Sequence, residues 1–231
     1  MIKYDFHIHS CLSPCGDNDM TPNNIVNMAY IAGAQAIAVT DHNTVGNVEA
    51  VMKLGESIGI TIVPGMEVET AEEVHVLTLF KDLKSAEDVA KTVYEHLPPI
   101  KNKPDIFGNQ FFMNEDDEIT GEEEKLLISP TSLSINQVFE LVKSVGGLAI
   151  PAHVDRHSYS VLTNLGFIPE ELGATWIELS NTVSDADLYI HSRQDLEGYK
   201  VMQNSDAHYL KDILSKENFL PCEISHLFGK E

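Results

Sequence analysis

Short apolar runs that end on polar side chains recur along this chain, separated by stretches with helical spacing. The first run, 2–9, reads as a strand and passes into a loop rich in Ser, Pro, Gly and Asp over 10–20. Thr21-Pro22 then opens a helix, because Thr caps free N–H groups and Pro fits the first helical position. That helix ends at Gly33, and 36–40 reads as a buried parallel strand. The pattern repeats: a helix over 44–58, a strand over 60–63, the Pro64-Gly65 turn, the Glu67 segment, a strand over 74–80 and a helix over 85–96.

Residues 97–132 lose regular periodicity and carry Phe111-Phe112-Met113, then acidic runs at 114–118 and 122–124. Such an acidic insertion reads as a lid or partner surface, or as a solvated excursion. Order resumes with a helix over 135–145, the turn Gly146-Gly147 and a strand over 148–150, and later strands read at 175–179 and 199–202. About seven strands alternating with helices, with polar residues at strand ends, predict an α/β fold. The arrangement resembles a closed or nearly closed parallel barrel with its site at the C-terminal ends of the strands. An open doubly wound sheet would gather its ligands at one switch point, whereas here nearly every strand end carries one.

A chain of 231 residues with 43% hydrophobic content supports a single domain over 1–231 with a sizeable core. No apolar run reaches the roughly 18 residues of a membrane span, and no signal-peptide pattern is visible, so a soluble, cytoplasmic protein is expected. Cys11, Cys15 and Cys222 are too few for a disulfide framework. The net charge of −21, from 36 acids against 15 bases, disfavours polymeric nucleic acid as a partner. Bound divalent cations would reverse that sign locally, which leaves a small anionic substrate compatible.

Side chains two apart on a strand point to the same side. His7 and His9, and again Asp206 and His208, therefore present paired metal-competent groups at strand ends. Asp41-His42, Glu67-Val68-Glu69, His75 and Pro151-Ala152-His153 each close an apolar stretch between them. Imidazole and carboxylate together suit zinc, manganese and iron, and a carboxylate can bridge two ions. His7, His9, His42, Glu67, His75, His153, Asp206 and His208 exceed what one tetrahedral ion takes. Two ions about 3.5 to 4 Å apart, or three, would use the set and suit attack of water on a phosphoester.

Each of these residues also has a plainer reading. His75 by itself would be a core or surface histidine. Asp5 shares a strand face with His7 and either orients a ligand or is merely buried, and Asp41 carries the same two readings. Glu69 accepts a proton or faces water. His96, His157, His191 and His226 lack strand-end placement and read as surface residues. Arg156, three residues after His153, is either a bidentate phosphate clamp or a surface ion-pair partner.

His7-Ile8-His9, Thr40-Asp41-His42, Gly65-Met66-Glu67, Pro151-Ala152-His153 and Asn204-Ser205-Asp206-Ala207-His208 resemble, in order, the motifs of the polymerase and histidinol phosphatase (PHP) family. The resemblance spans residues 5–208. It implies a distorted seven-stranded βα barrel of TIM type with a trinuclear site. By that likeness His7, His9, Glu67 and Asp206 hold one ion, and Glu67 bridges to a second held by His75 and His153. His42 and His208 hold the third with one group from the loop after His9, where family members use His or Asp. Asp17 stands four residues before Thr21, as an Asp does in the nucleotide-phosphatase branch, while Cys15 matches by spacing from His9. Asp17 is the expected ligand because carboxylate suits a hard, hydrated ion; with Cys15 a softer metal would follow.

The expected activity is metal-dependent hydrolysis of a small phosphomonoester, a nucleotide or a sugar or amino-alcohol phosphate, with three divalent ions (Zn, Mn or Fe) per chain. A hydroxide bridging the ions would attack phosphorus. His7, His9, Glu67, Asp206 and His208 form the expected catalytic set and Arg156 binds substrate. Alternatives are a 3'-5' exonuclease-type phosphodiesterase and a non-catalytic, metal-bound regulatory module. An amidohydrolase ranks lower, since no Lys occupies a strand end as a carbamylated ligand would.

Overall fold

A computed structural model of the chain describes residues 1–229. Strand β1 (Ile2–Ile8) is followed by helix α1 (Pro22–Ile31), β2 (Ala36–Val39), α2 (Val48–Ile58), β3 (Thr61–Ile62), β4 (Gly65–Glu69) and β5 (His75–Leu79). Helix α3 (Leu83–Glu95) leads to the insertion, which holds α4 (Pro104–Phe107) and a hairpin of β6 (Phe111–Met113) and β7 (Ile119–Glu122). Then come α5 (Ile135–Ser144), β8 (Leu148–Pro151), α6 (Val161–Asn164), β9 (Trp176–Leu179), α7 (Ala186–His191), β10 (Lys200–Gln203) and β11 (Phe219–Leu220). Helix starts follow local chemistry: the Thr21 hydroxyl accepts from Asn24 N–H with Pro22 next in line, and Ser134 with Gln137 forms a capping box.

Among the described residues the strands form four sheets and no closed barrel: β11-β1-β2-β3, β4-β5-β8, β9-β10 and the β6-β7 hairpin. β1, β2 and β3 are parallel, as are β9 and β10. β5 runs antiparallel to both β4 and β8, which corrects the all-parallel reading of the sequence. The reason is local. The connection over 70–74 is too short for a crossover. Glu73 takes φ 56° and returns its N–H to Thr70 O at 3.0 Å, so the chain reverses directly. Two single parallel bridges, Ile8–Ala207 and His42–Glu67, link sheet margins.

The register of β1 against β2 shifts between Asp5 and Ile8. Tyr4 and Phe6 join Ala36, Ala38, Leu77, Ile150, Trp176 and Met202 in an interior cluster fed by β1, β2, β5, β8, β9 and β10. Ile8 instead packs with Ile25, Val26, Ile37 and Val39 on the helix side. One extra residue in a strand changes which face its side chains address. Beyond the bulge His7 and His9 therefore continue the interior side, while Asp5 does not share it. Each large apolar side chain sealed in that cluster contributes about 1.5–3 kcal/mol.

The insertion is tied down rather than loose. Asn47 Oδ1 accepts from Met113 N–H at 2.9 Å, and its Nδ2 donates to Phe111 O at 3.1 Å. Gln110 Nε2 donates to Glu123 O and Lys125 O, while Asp117 accepts from the Thr21 hydroxyl and Asn23 N–H. The segment thus packs against the N-terminal ends of α1 and α2. No helix of the described residues is long and apolar enough to cross a membrane.

Candidate metal centre

The two strand-end pairs predicted from spacing meet in space. His9 N–H donates to Ala207 O at 2.9 Å, and Ala207 N–H to His7 O at 3.3 Å. Asp206 and His208 flank Ala207, so this ladder sets them beside the histidine pair. His9 Nε2 lies 3.1 Å from Asp206 Oδ1, and His7 Nε2 lies 3.4 Å from the same atom. The second bridge brings β4 in from the other side: Glu67 N–H donates to Asp41 O, and Asn43 N–H to Glu67 O. His153, Asp206 and Asn43 all have positive φ, at 30°, 50° and 55°. Side chains rarely adopt such backbone except where the surroundings hold them in place, as at functional sites.

Glu67 is the hub. Its Oε1 stands 2.9 Å from His75 Nδ1, 3.2 Å from His153 Nε2 and 3.3 Å from His7 Nε2. Its Oε2 stands 3.2 Å from His42 Nδ1 and 3.5 Å from His9 Nε2. Three groups offer donor atoms mutually within 4.8 Å: His7, His9 and Asp206; His42, Glu67 and His75; and His9, Cys15, His42 and His208. His7 Nε2 and His42 Nδ1 are buried without a hydrogen-bond partner. A buried polar atom normally has one, so two orphaned imidazole nitrogens facing carboxylates fit a site built for cations.

The outer partners fix the rings. His7 Nδ1 lies 2.9 Å from Glu178 Oε1, and a carboxylate only accepts, so Nδ1 carries a proton and Nε2 is the nitrogen left to face an ion. Glu178 also accepts from His153 N–H and Asn204 Nδ2. The Ser13 hydroxyl donates to Asp41 Oδ1 at 2.6 Å and therefore accepts from His9 Nδ1 at 3.1 Å, which frees His9 Nε2. His208 Nδ1 donates to Asp206 O at 2.8 Å, freeing its Nε2 as well.

Charges divide accordingly. Burial opposes ionisation of Glu67, but His75 and His7 outweigh it and hold the carboxyl well below its usual range. Asp206 is also held low against burial, chiefly by His7 and His9. Burial drives His42 well below its ordinary value and His208 down to about 4, so both stay neutral, the metal-binding form. His7 goes the other way: Glu178, Glu67 and Asp206 overcome burial and raise it. A cavity of about 320 Å³ opens over the cluster, with Ile128, Arg156, Ser158 and Tyr159 completing its wall.

The model of the PHP domain family matches residues 5–191 of this chain. The chain belongs to the PHP domain family. Over 80 residues it is 31% identical to a 5'-3' exoribonuclease of Haemophilus influenzae, spanning 33% of this chain and 28% of that protein. Another 80-residue match, at 34% identity, is to a phosphoribosyl 1,2-cyclic phosphate 1,2-diphosphodiesterase of Eggerthella lenta, over 32% and 29% of the two chains. The fold resembles that of the lesion-specific endonuclease EndoQ from Pyrococcus furiosus, with a TM-score of 0.68 at 18% identity. That likeness covers 91% of this chain and 49% of the endonuclease, so the chain spans about half of that protein and less of the two sequence relatives. Another similar fold is that of a two-domain protein from Bacteroides vulgatus containing a predicted PHP-like metal-dependent phosphoesterase, at 20% identity and a TM-score of 0.52 over 90% of this chain and 52% of that one.

Within this PHP domain, His7, His9, His42, Glu67, His75, His153, Asp206 and His208 converge as the sequence predicts. Arg156 reaches the same cavity and pairs with Asp206 Oδ2 at 2.5 Å. Asp17 is not brought into the cluster: its Oδ1 accepts from Asp19 N–H, and its own N–H donates to His208 O. Cys15 lines the cavity in its place. Asp5 meets the backbone of His7 and not its ring: its carboxylate accepts from His7 N–H at 3.5 Å and from Ser205 N–H and Leu214 N–H, holding the loop that carries Asp206. Asp41 does act on the cluster, through Ser13. Glu178 and Tyr159, whose ring stacks on His75 at 4.7 Å, were not singled out by sequence reasoning. The only sign of Glu178 was an acid inside the apolar run Trp176-Ile177-Glu178-Leu179.

Proposed function

We propose that this PHP domain hydrolyses a small phosphomonoester, a nucleotide or a sugar or amino-alcohol phosphate, at a centre of three divalent ions. The observation that carries this reading is the pairing of a carboxylate-imidazole floor with one cation, Arg156, in a cavity of about 320 Å³. That volume lies at the small end of ligand sites. The net charge of −21 weighs against a long phosphate backbone. The frame assigned to the site is a distorted βα barrel within one domain over 1–231, which the two margin bridges and the shared interior cluster support.

In this reading His7, His9 and Asp206 would hold one ion, His75 and His153 a second, and His42 with His208 a third, with Glu67 central to the set. Bound divalent ions supply Lewis acidity toward phosphoryl oxygens and a nucleophilic water at neutral pH. Glu178 keeps the His7 proton on Nδ1, and Ser13, held by Asp41, keeps the His9 proton on Nδ1, so the rings need no rearrangement to bind. Arg156 grips non-bridging phosphate oxygens with its forked guanidinium and gives up its contact with Asp206 as it does so. The buried cluster walls exclude bulk water and strengthen these charge interactions.

A phosphodiester is the second reading, favoured by the names of the two sequence relatives, an exoribonuclease and a cyclic phosphate diphosphodiesterase. Phosphate release from a panel of nucleoside monophosphates, sugar phosphates and amino-alcohol phosphates, run beside cyclic phosphates and short oligonucleotides, separates the two. The monoester proposal expects turnover in the first group. Hydrolysis confined to the second group would replace it with the diester reading.

A further inference from the structure

We infer that Cys15 is a thiolate ligand of this centre, forming with His42 and His208 a three-donor face for one ion of softer character than its neighbours. The inference rests on the metal-centre reading above and deepens it. The donor atoms of His9, Cys15, His42 and His208 lie mutually within 4.8 Å. His9 Nε2 is already directed at Asp206 Oδ1, 3.1 Å away, which leaves Cys15, His42 and His208 for a separate ion. Three protein donors with a fourth position open is the pattern of a catalytic rather than a structural zinc site.

Independent details agree. His42 Nδ1 is buried and without a hydrogen-bond partner, and the His208 Nε2 lone pair is free because Nδ1 donates to Asp206 O. The thiol is reduced, exposed and on the cavity wall. The loop that presents it is tight: a Cβ at Gly16 would meet Ser10 O at 2.3 Å, so only glycine allows the turn directly after Cys15. Asp17, the competing carboxylate, is engaged with Asp19 N–H instead.

Binding an ion here displaces the Cys15 proton to solvent and forms a metal–sulfur bond. Thiolate favours zinc or cobalt over magnesium or manganese. The carboxylate-rich positions around Glu67 and Asp206 lack that bias, so the centre would discriminate between its positions by softness.

Cobalt loading of the purified full chain tests this. A near-ultraviolet sulfur-to-cobalt charge-transfer band is expected in the wild type, retained in Cys11→Ser and Cys222→Ser, and lost in Cys15→Ser, with bound cobalt falling by about one ion per chain. In wild-type protein, zinc should slow alkylation of Cys15 roughly tenfold or more, since a bound thiolate is no longer a free nucleophile; this arm needs no variant. Cobalt bound without the band, a band that survives Cys15→Ser, or alkylation unaffected by zinc overturns the inference alone. A wild type that binds no cobalt overturns it together with the metal-centre reading.

Discussion

Glu178 receives the Nδ1 proton of His7 at 2.9 Å across 171 residues of chain. A carboxylate behind a histidine fixes its tautomer and raises its basicity, and removing such a partner costs about 10- to 100-fold in metal affinity. Glu178→Gln keeps the shape but places an amide where a carboxylate accepted three protein donors. The variant should fold, lose metal affinity by about that factor in chelator-competition titration, and recover activity at high metal concentration. Unchanged affinity would remove Glu178 from the account.

Arg156 is the cation of the cavity wall and pairs with Asp206. Arg156→Ala should leave metal content intact and lower kcat/KM about 10- to 100-fold, the loss of a charge-assisted pair of about 1.5–3 kcal/mol. Arg156→Lys should recover only part, because a point charge does not replace a fork. Steady-state kinetics beside elemental analysis separates substrate binding from metal binding.

His75 connects pH to stability. Burial would lower its pKa, but Glu67 at 2.9 Å and Glu69 outweigh it and raise it from 6.5 to about 9. The folded state therefore holds the proton more tightly than the unfolded chain. Its contribution is complete below pH 6.5 and fades as pH rises through about 9. His7, also raised, acts in the same direction. Metal-free protein should melt at progressively lower temperature from pH 6.5 to 9, whereas metal-loaded protein, whose imidazoles are already deprotonated, should not. Equal slopes would contradict the charge assignment.

Asp117 ties the insertion to the start of α1 through the Thr21 hydroxyl at 2.6 Å and Asn23 N–H at 3.0 Å. Asp117→Ala should destabilise the fold by about 1–2 kcal/mol, the usual scale for a lost helix-terminal acceptor, with catalysis unchanged. Thermal unfolding with kinetics on the same sample checks both.

Much of the site could be read from strand ends alone. His7 with His9 and Asp206 with His208 follow from a period of two, and His42, Glu67, His75 and His153 from apolar runs that stop on a ligand. Helix α1 lies close to its sequence position because Thr21-Pro22 announces its start and Gly33 follows its end. What escaped depends on geometry the pattern does not encode. The β1 bulge is not visible in Tyr4-Asp5-Phe6-His7, and with it Asp5 meets backbone N–H groups and not the imidazoles. The reversal between β4 and β5 rests on Glu73 adopting positive φ, which this residue type rarely signals. Glu178 matters only through a residue on another strand, and Cys15 and Asp17 were separated by which way a tight loop turns at Gly16. Hairpin β6-β7 lay inside a stretch without clear alternation.

The central claim, that these imidazoles and carboxylates hold the divalent ions that make the chain a phosphoesterase, is tested most directly by one assay. Inorganic phosphate release is followed in a single preparation before chelation, after complete metal removal, and after stoichiometric readdition of zinc or manganese. The account predicts loss of turnover on stripping and its return on readdition in wild type but not in Glu67→Ala. Undiminished turnover by the stripped protein would contradict it.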